Sequence, residues 1–79
     1  FVSFELYPNP VNEIICINFN SEENKTIEIF DINGKLIFSE TTNKTFLKYD
    51  ISHFVSGSYF AKLSQKNSCK TLMFSVVKK

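Results

Sequence analysis

Apolar and polar residues alternate with a period of two along much of this chain. Ile15, Ile17 and Phe19 fall on one face of a β-branched run, and Ile27 and Ile29 flank Glu28 in the next. A period of two puts successive side chains on opposite sides of an extended backbone, so these runs predict half-buried strands. Strands are expected at residues 4–7, 14–19, 26–30, 36–40, 46–49, 59–63 and 70–77. No segment sustains a helical period. The alternation places Phe30 on the outer face. Either a bulge near Asp31 corrects this, or both faces are partly covered.

Polar and turn-forming stretches separate the strands. Pro8-Asn9-Pro10 stops the first, because proline lacks a donor and fixes φ. Residues 20–25 form a polar loop. Asn33-Gly34 sits between two β-rich runs and predicts a type I′ hairpin turn, with φ > 0 at both central residues. Asp31 lies two residues earlier, where its carboxylate can accept backbone N–H groups of the turn. Asp50-Ile51-Ser52-His53-Phe54 predicts a corner with a short helical turn, capped by Asp50 or Ser52. Tyr59 follows Gly57-Ser58 at a strand start, where a tyrosine can lock a sandwich corner by bonding back to upstream backbone. Seven short strands at short intervals predict an all-β fold: a seven-stranded antiparallel Ig-like β-sandwich, one domain over residues 1–79.

Composition narrows the chemistry. A chain of 79 residues must use its core efficiently, and its nine Phe and three Tyr offer large buried areas. The net charge is +1, and every cation is a lysine scattered among carboxylates. That pattern argues against a nucleic-acid groove, and the absence of arginine against a bidentate phosphate site. No apolar run reaches the roughly 18–20 residues of a membrane-spanning helix. Cys16 and Cys69 have no metal-ligand spacing, and both fall opposite the main apolar set of their strands. They read as two free, small, partly buried thiols. A disulfide would need their Cα atoms within about 7 Å. His53 has no nucleophile or orienting partner nearby in sequence, and Glu22-Glu23 lies in a solvated loop without calcium-ligand spacing. No catalytic, metal or cofactor-binding residue stands out.

Three stretches carry a resemblance. They are Leu6-Tyr7-Pro8-Asn9-Pro10, then Ile29-Phe30-Asp31-Ile32-Asn33-Gly34-Lys35-Leu36-Ile37, then Tyr49-Asp50-Ile51-Ser52 with Phe54 and Gly57-Ser58-Tyr59. In this order and spacing, with the Lys78-Lys79 tip, they resemble the type A C-terminal sorting domain of the type IX secretion system of Bacteroidetes. The resemblance spans nearly the whole chain. It implies a non-catalytic signal, without cofactor, at the C-terminus of an exported cargo protein. The implied partners are outer-membrane translocon components, a sortase-like protease, and an N-terminal cargo domain in the same precursor. The cargo would pass through the periplasm and end anchored on the outer-membrane surface or released from the cell. Residues 1–3 would be a remnant of the upstream linker where cleavage falls. The sorting-motif candidates are Pro8, Asn9, Pro10, Asp31, Asn33, Gly34, Lys35, Asp50, Ser52, Gly57, Tyr59, Lys78 and Lys79. A strand edge would supply backbone pairing to the translocon, and Lys78 and Lys79 electrostatic steering. The competing expectation is an Ig- or fibronectin-like accessory module that binds carbohydrate or protein through an aromatic strip of Phe30, Phe38, Phe46 and Phe60.

Overall fold

A computed structural model describes residues 3–78. Phe1 and Val2 of the expected linker remnant, and Lys79, lie outside the described residues. Seven strands form: β1 (Phe4–Tyr7), β2 (Ile14–Phe19), β3 (Lys25–Asp31), β4 (Leu36–Thr42), β5 (Phe46–Asp50), β6 (Gly57–Gln65) and β7 (Ser68–Val76). They pair antiparallel in two sheets, ordered β1-β2-β5 and β4-β3-β6-β7. The chain changes sheet between β2 and β3, between β4 and β5, and between β5 and β6, which makes a sandwich with Ig-like connectivity. Among the described residues no helix forms. The corner at residues 50–54 is a single turn, closed by Phe54 N–H donating to the Ile51 carbonyl at 2.9 Å.

The core is the alternation made solid. Ile15, Ile17 and Phe19 of β2 face Ile27 and Ile29 of β3 and Tyr59, Ala61 and Leu63 of β6, all buried. Phe74 and Val76 of β7 complete it. Isoleucine supplies more of the fully buried set than the aromatics do, because β-branched chains fill the narrow space between pleated sheets. Tyr49 of β5 donates a hydrogen bond to Glu40 of β4, and its ring lies 4.7 Å from Phe38. This pair spans the two sheets at their open side. Burial, and then the carboxylate acceptor, push the Tyr49 phenol well above its ordinary pKa.

Phe30 stays on the outer face, half-buried. The bulge is real but lies on the partner strand: Ile29 pairs with Phe38 while Phe30 pairs with Leu36, leaving Ile37 extra. Lys25 departs most from expectation. It begins β3 rather than ending a loop, and it is only 2% exposed. Its ammonium lies 4.8 Å above the Phe19 ring and donates to the carbonyls of Ser21 (2.7 Å) and Glu23 (3.1 Å). Desolvation lowers its pKa, and nearby Glu22 partly offsets this. Cys16 and Cys69 are free, on outer faces of different sheets. Cys69 is exposed rather than partly buried.

Trimming the packed layer should be felt and trimming the surface should not. Ile29→Val, at a side chain 1% exposed, is expected to cost about 1 kcal/mol. In a domain this small that lowers the melting temperature by about 4–8 °C in a calorimetric scan. Ile32→Val, at 60% exposure, should leave it unchanged.

Candidate functional site

The antiparallel registers set which loops share an end. Tyr7 pairs with Cys16, Ile14 with Asp50, Asp31 with Tyr59, and Gly57 with Val76. The Pro8–Pro10 segment, the Asp31–Lys35 turn, the Asp50–Ser58 corner and the last described residues therefore gather at one pole. Ser3 is at the other. It exchanges hydrogen bonds with Asn20, beside the 20–24, 43–45 and 66–67 loops.

The Pro-Asn-Pro segment leaves β1 and brings Val11 against the second sheet before β2 rejoins the first. Both of its X-Pro bonds are cis. The Asn9 side-chain oxygen accepts from Ser75 N–H at 3.1 Å. Val11 then pairs parallel to the end of β7: its N–H donates to the Ser75 carbonyl, and its carbonyl accepts from Val77 N–H, each at 2.9 Å. Pro8 and Pro10, with Val77, line a shallow recess beside this junction.

The Asp31 turn differs from the type I′ expectation. Only Gly34 has positive φ, at 84°; Asn33 does not. Gly34 N–H donates to the Asp31 carbonyl at 3.0 Å, and one Asp31 carboxylate oxygen accepts from the N–H groups of both Asn33 and Lys35, at 2.9 Å each. The side chain holds Ile32 and Asn33 in an ordinary turn, and Gly34 alone absorbs the left-handed step that rejoins the strands. The Lys35 side chain is exposed.

At the corner, Asp50 accepts from Ser52 N–H at 2.9 Å. The Ser52 side chain first, and then this N–H bond, hold the Asp50 carboxyl below the usual carboxylate range, with smaller help from His53 and Lys78. The Tyr59 hydroxyl donates to the Val55 carbonyl at 2.7 Å, which is the corner lock expected of it. Its ring packs 4.9 Å from Phe54 and 5.7 Å from Phe74. Lys78 ties the pole together. Its N–H donates to the Ser56 hydroxyl at 3.0 Å, and its ammonium donates to the Asn12 carbonyl and, at 3.2 Å, to that of Ile51.

Between the Asp31 turn and the corner runs a groove of about 410 Å³, with Ile32, Asn33, Ile37, His53, Val55 and Tyr59 in its lining. Ile32 and Val55 are 60% and 74% exposed. Tyr7, Ile14 and Val77 add exposed apolar surface at the same pole. Sequence reasoning named the hydrogen-bonding residues here and missed this apolar rim. The usable signal was present: Ile32 and Val55 are lone apolar residues within turns, outside the alternation that marks buried positions. His53 stands edge-on to Phe54 at 5.0 Å with no nucleophile beside it. Among the described residues no group of three His, Cys, Asp or Glu side chains is placed to hold a metal ion. What the arrangement offers a partner is shape and apolar contact area.

The aromatic strip does not assemble. Phe38 points inward onto Tyr49, and Phe46 lies on the other sheet near the Ser3 pole, so only Phe30 and Phe60 are neighbours.

A sequence model of the family described as "Secretion system C-terminal sorting domain" matches residues 5–78. Among solved structures, the chain is similar to a part of PorZ, described as an essential bacterial surface component of the type-IX secretion system of Porphyromonas gingivalis. The TM-score is 0.79 at 19% identity, over 95% of this chain and 11% of that one. At that identity the likeness is one of fold, and this chain spans about a tenth of PorZ. No curated protein matches the chain.

Two perturbations separate the local contributions. A Cβ at Gly34 meets nothing within 4 Å, so the cost of Gly34→Val is backbone strain alone. It should exceed about 1 kcal/mol in a denaturant titration. The Asp50 shift is downward, so its stabilisation is present above the ordinary carboxylate pKa and is lost as pH falls through the lowered one. Asp50→Asn should therefore flatten the decline in melting temperature below about pH 4.

Proposed function

The chain belongs to the secretion system C-terminal sorting domain family, a non-catalytic signal for type IX secretion, and on that premise we propose that the pole running from Pro8 to Lys78 is the surface the translocon reads. The signal directs passage through the outer membrane to the cell surface by the type IX machinery. One observation supports assigning recognition to this pole. Every stretch of the sorting motif gathers there, and Ser3 is at the opposite pole of a body 37 Å long. Cargo attached upstream of Ser3 then projects away from the recognised surface and does not cover it. The apolar rim of Ile32, Ile37 and Val55 supplies contact area, and the backbone of the Asp31 turn supplies its shape. A sortase-like protease cutting upstream of Phe4 reaches its bond from the cargo side without disturbing the docked pole. The cargo, having crossed the periplasm, is then anchored or released. Asp31, Gly34, Asp50 and Tyr59 serve this function by holding the pole in form, and the exposed apolar residues serve it by contact.

The test is a fusion of residues 1–79 to a periplasm-directed fluorescent protein in a host with a working type IX system. Translocon-dependent surface or medium fluorescence is expected. Ile32→Asp with Val55→Asp should retain the fusion in the periplasm, at least tenfold less exported, with the melting temperature of the isolated domain within about 2 °C of the parent. Phe46→Asp, at the far pole, should export normally. Normal export of the folded double variant would sink the assignment of recognition to this pole.

A further inference from the structure

The outer face of the four-stranded sheet carries a row of apolar side chains that neither the core nor the motif pole uses. Pairing registers place Leu36, Phe30, Phe60 and Met73 side by side, one from each strand. Leu36 and Met73 are 46% and 58% exposed, and the two phenylalanines are half-buried. An apolar row crossing a whole sheet face, rimmed by polar rows, marks an interaction surface more often than chance exposure does. The next row is Ser39, Glu28, Lys62 and Thr71, and the one beyond it is Thr41, Thr26, Ser64 and Cys69. Glu28 and Lys62 are cross-strand neighbours, yet no ion pair joins them; among the described residues the ion pair formed is Lys66 with Glu23.

This pattern is complementary to itself. Consider a two-fold axis parallel to the strands and midway between β3 and β6, with two copies packed sheet to sheet. The axis exchanges left and right and preserves height along the strands. Each β3 then faces the β6 of the other copy, and each β4 faces β7. Phe30 meets the second copy's Phe60, and Leu36 meets its Met73. Glu28 meets Lys62 twice, once on each side of the axis. Opposed charges lie across the interface on both sides, as isologous pairing requires. Aligned packing of two twisted sheets about 10 Å apart is an ordinary geometry for such faces.

We infer that this sheet face is a homodimer interface, taking a second copy of the same chain with both motif poles pointing the same way. The face spans four strands about 4.8 Å apart and three rows about 7 Å apart, so each copy buries roughly 300–400 Å². That total of roughly 600–800 Å² falls below the range of stable specific interfaces, so the dimer is a weak, exchanging one. Both poles and both Ser3 ends remain free, so pairing is compatible with recognition at the pole and does not depend on it. Cys69 of one copy faces Thr41 of the other, so no disulfide is involved.

Sedimentation of the 79-residue chain in reductant, up to millimolar concentration, tests this. The parent should show a reversible, concentration-dependent monomer–dimer equilibrium. Glu28→Lys and Lys62→Glu, each of which sets like charges against each other, should weaken it at least about tenfold. Mixing the two variants should restore a dimer, because an all-lysine face then meets an all-glutamate one. Amide shifts of the unmutated chain on dilution should map to β3 and β6. Four results would each overturn the inference: a parent monomeric throughout, a mixture that fails to pair, a dimer lost on reduction, or shifts confined to the Ile32–Val55 pole.

Discussion

The fold depends on a short junction where Val11 joins the end of β7. Two sheets packed by apolar contact alone slide easily, since burial has no direction. Here the backbone of Val11 closes two hydrogen bonds with Ser75 and Val77, and its side chain and that of Val76 are each 1% exposed. Directional bonds inside a dry layer fix the sheets' relative position far better than either bonds in water or burial alone. The Asn9 side chain and the Lys78 ammonium extend the junction to either side. The opposite flank is held by Tyr49 and Glu40. Because Val11, Ser75 and Val77 lie at opposite ends of the sequence, folding must bring the first and last strands together before this pole exists.

How much of this was legible in the sequence follows from which interactions are local. A period of two is local, and it located every strand and the inward faces of β2, β3, β6 and β7. The Tyr59 lock spans four residues and was legible for the same reason. The Asn33-Gly34 turn was placed correctly but given the wrong form. The Asp31 carboxylate accepts N–H groups of the turn as expected, but that acceptance was not carried into the backbone form, which it moves by a residue. Lys25 was unreadable, since a lysine gives no sign that carbonyls of its own loop and a phenylalanine ring will enclose it. The Val11 pairing was hidden too, being a single bridge across 65 residues of chain.

At the candidate site, polar motif residues were legible and their roles were not. Asp31, Asp50 and Tyr59 each make hydrogen bonds to nearby backbone that shape the pole. Lys78 was expected to steer through its charge. Its ammonium also has a structural part: it donates to two carbonyls, and it lies near enough to Asp50 to influence that carboxyl. Among the residues left without internal work are the apolar ones at the rim and the exposed Lys35 side chain.

That division constrains how such a signal can evolve and be read. Residues that shape the pole are locked by the fold, because altering them costs stability that a domain of 79 residues has little of. Residues such as Val55 and Ile32 cost almost nothing to change, so folding alone gives no reason for them to be apolar. Their exposure carries a penalty in solubility. Contact with a partner is the remaining physical reason to keep them. A translocon that read only these side chains would accept many unrelated apolar patches. One that also requires the backbone form set by Asp31, Gly34 and the Tyr59 corner would accept this fold alone. On the proposed reading of this pole, shape supplies the specificity and apolar contact the affinity, and a folded domain serves as the address where a linear peptide would not.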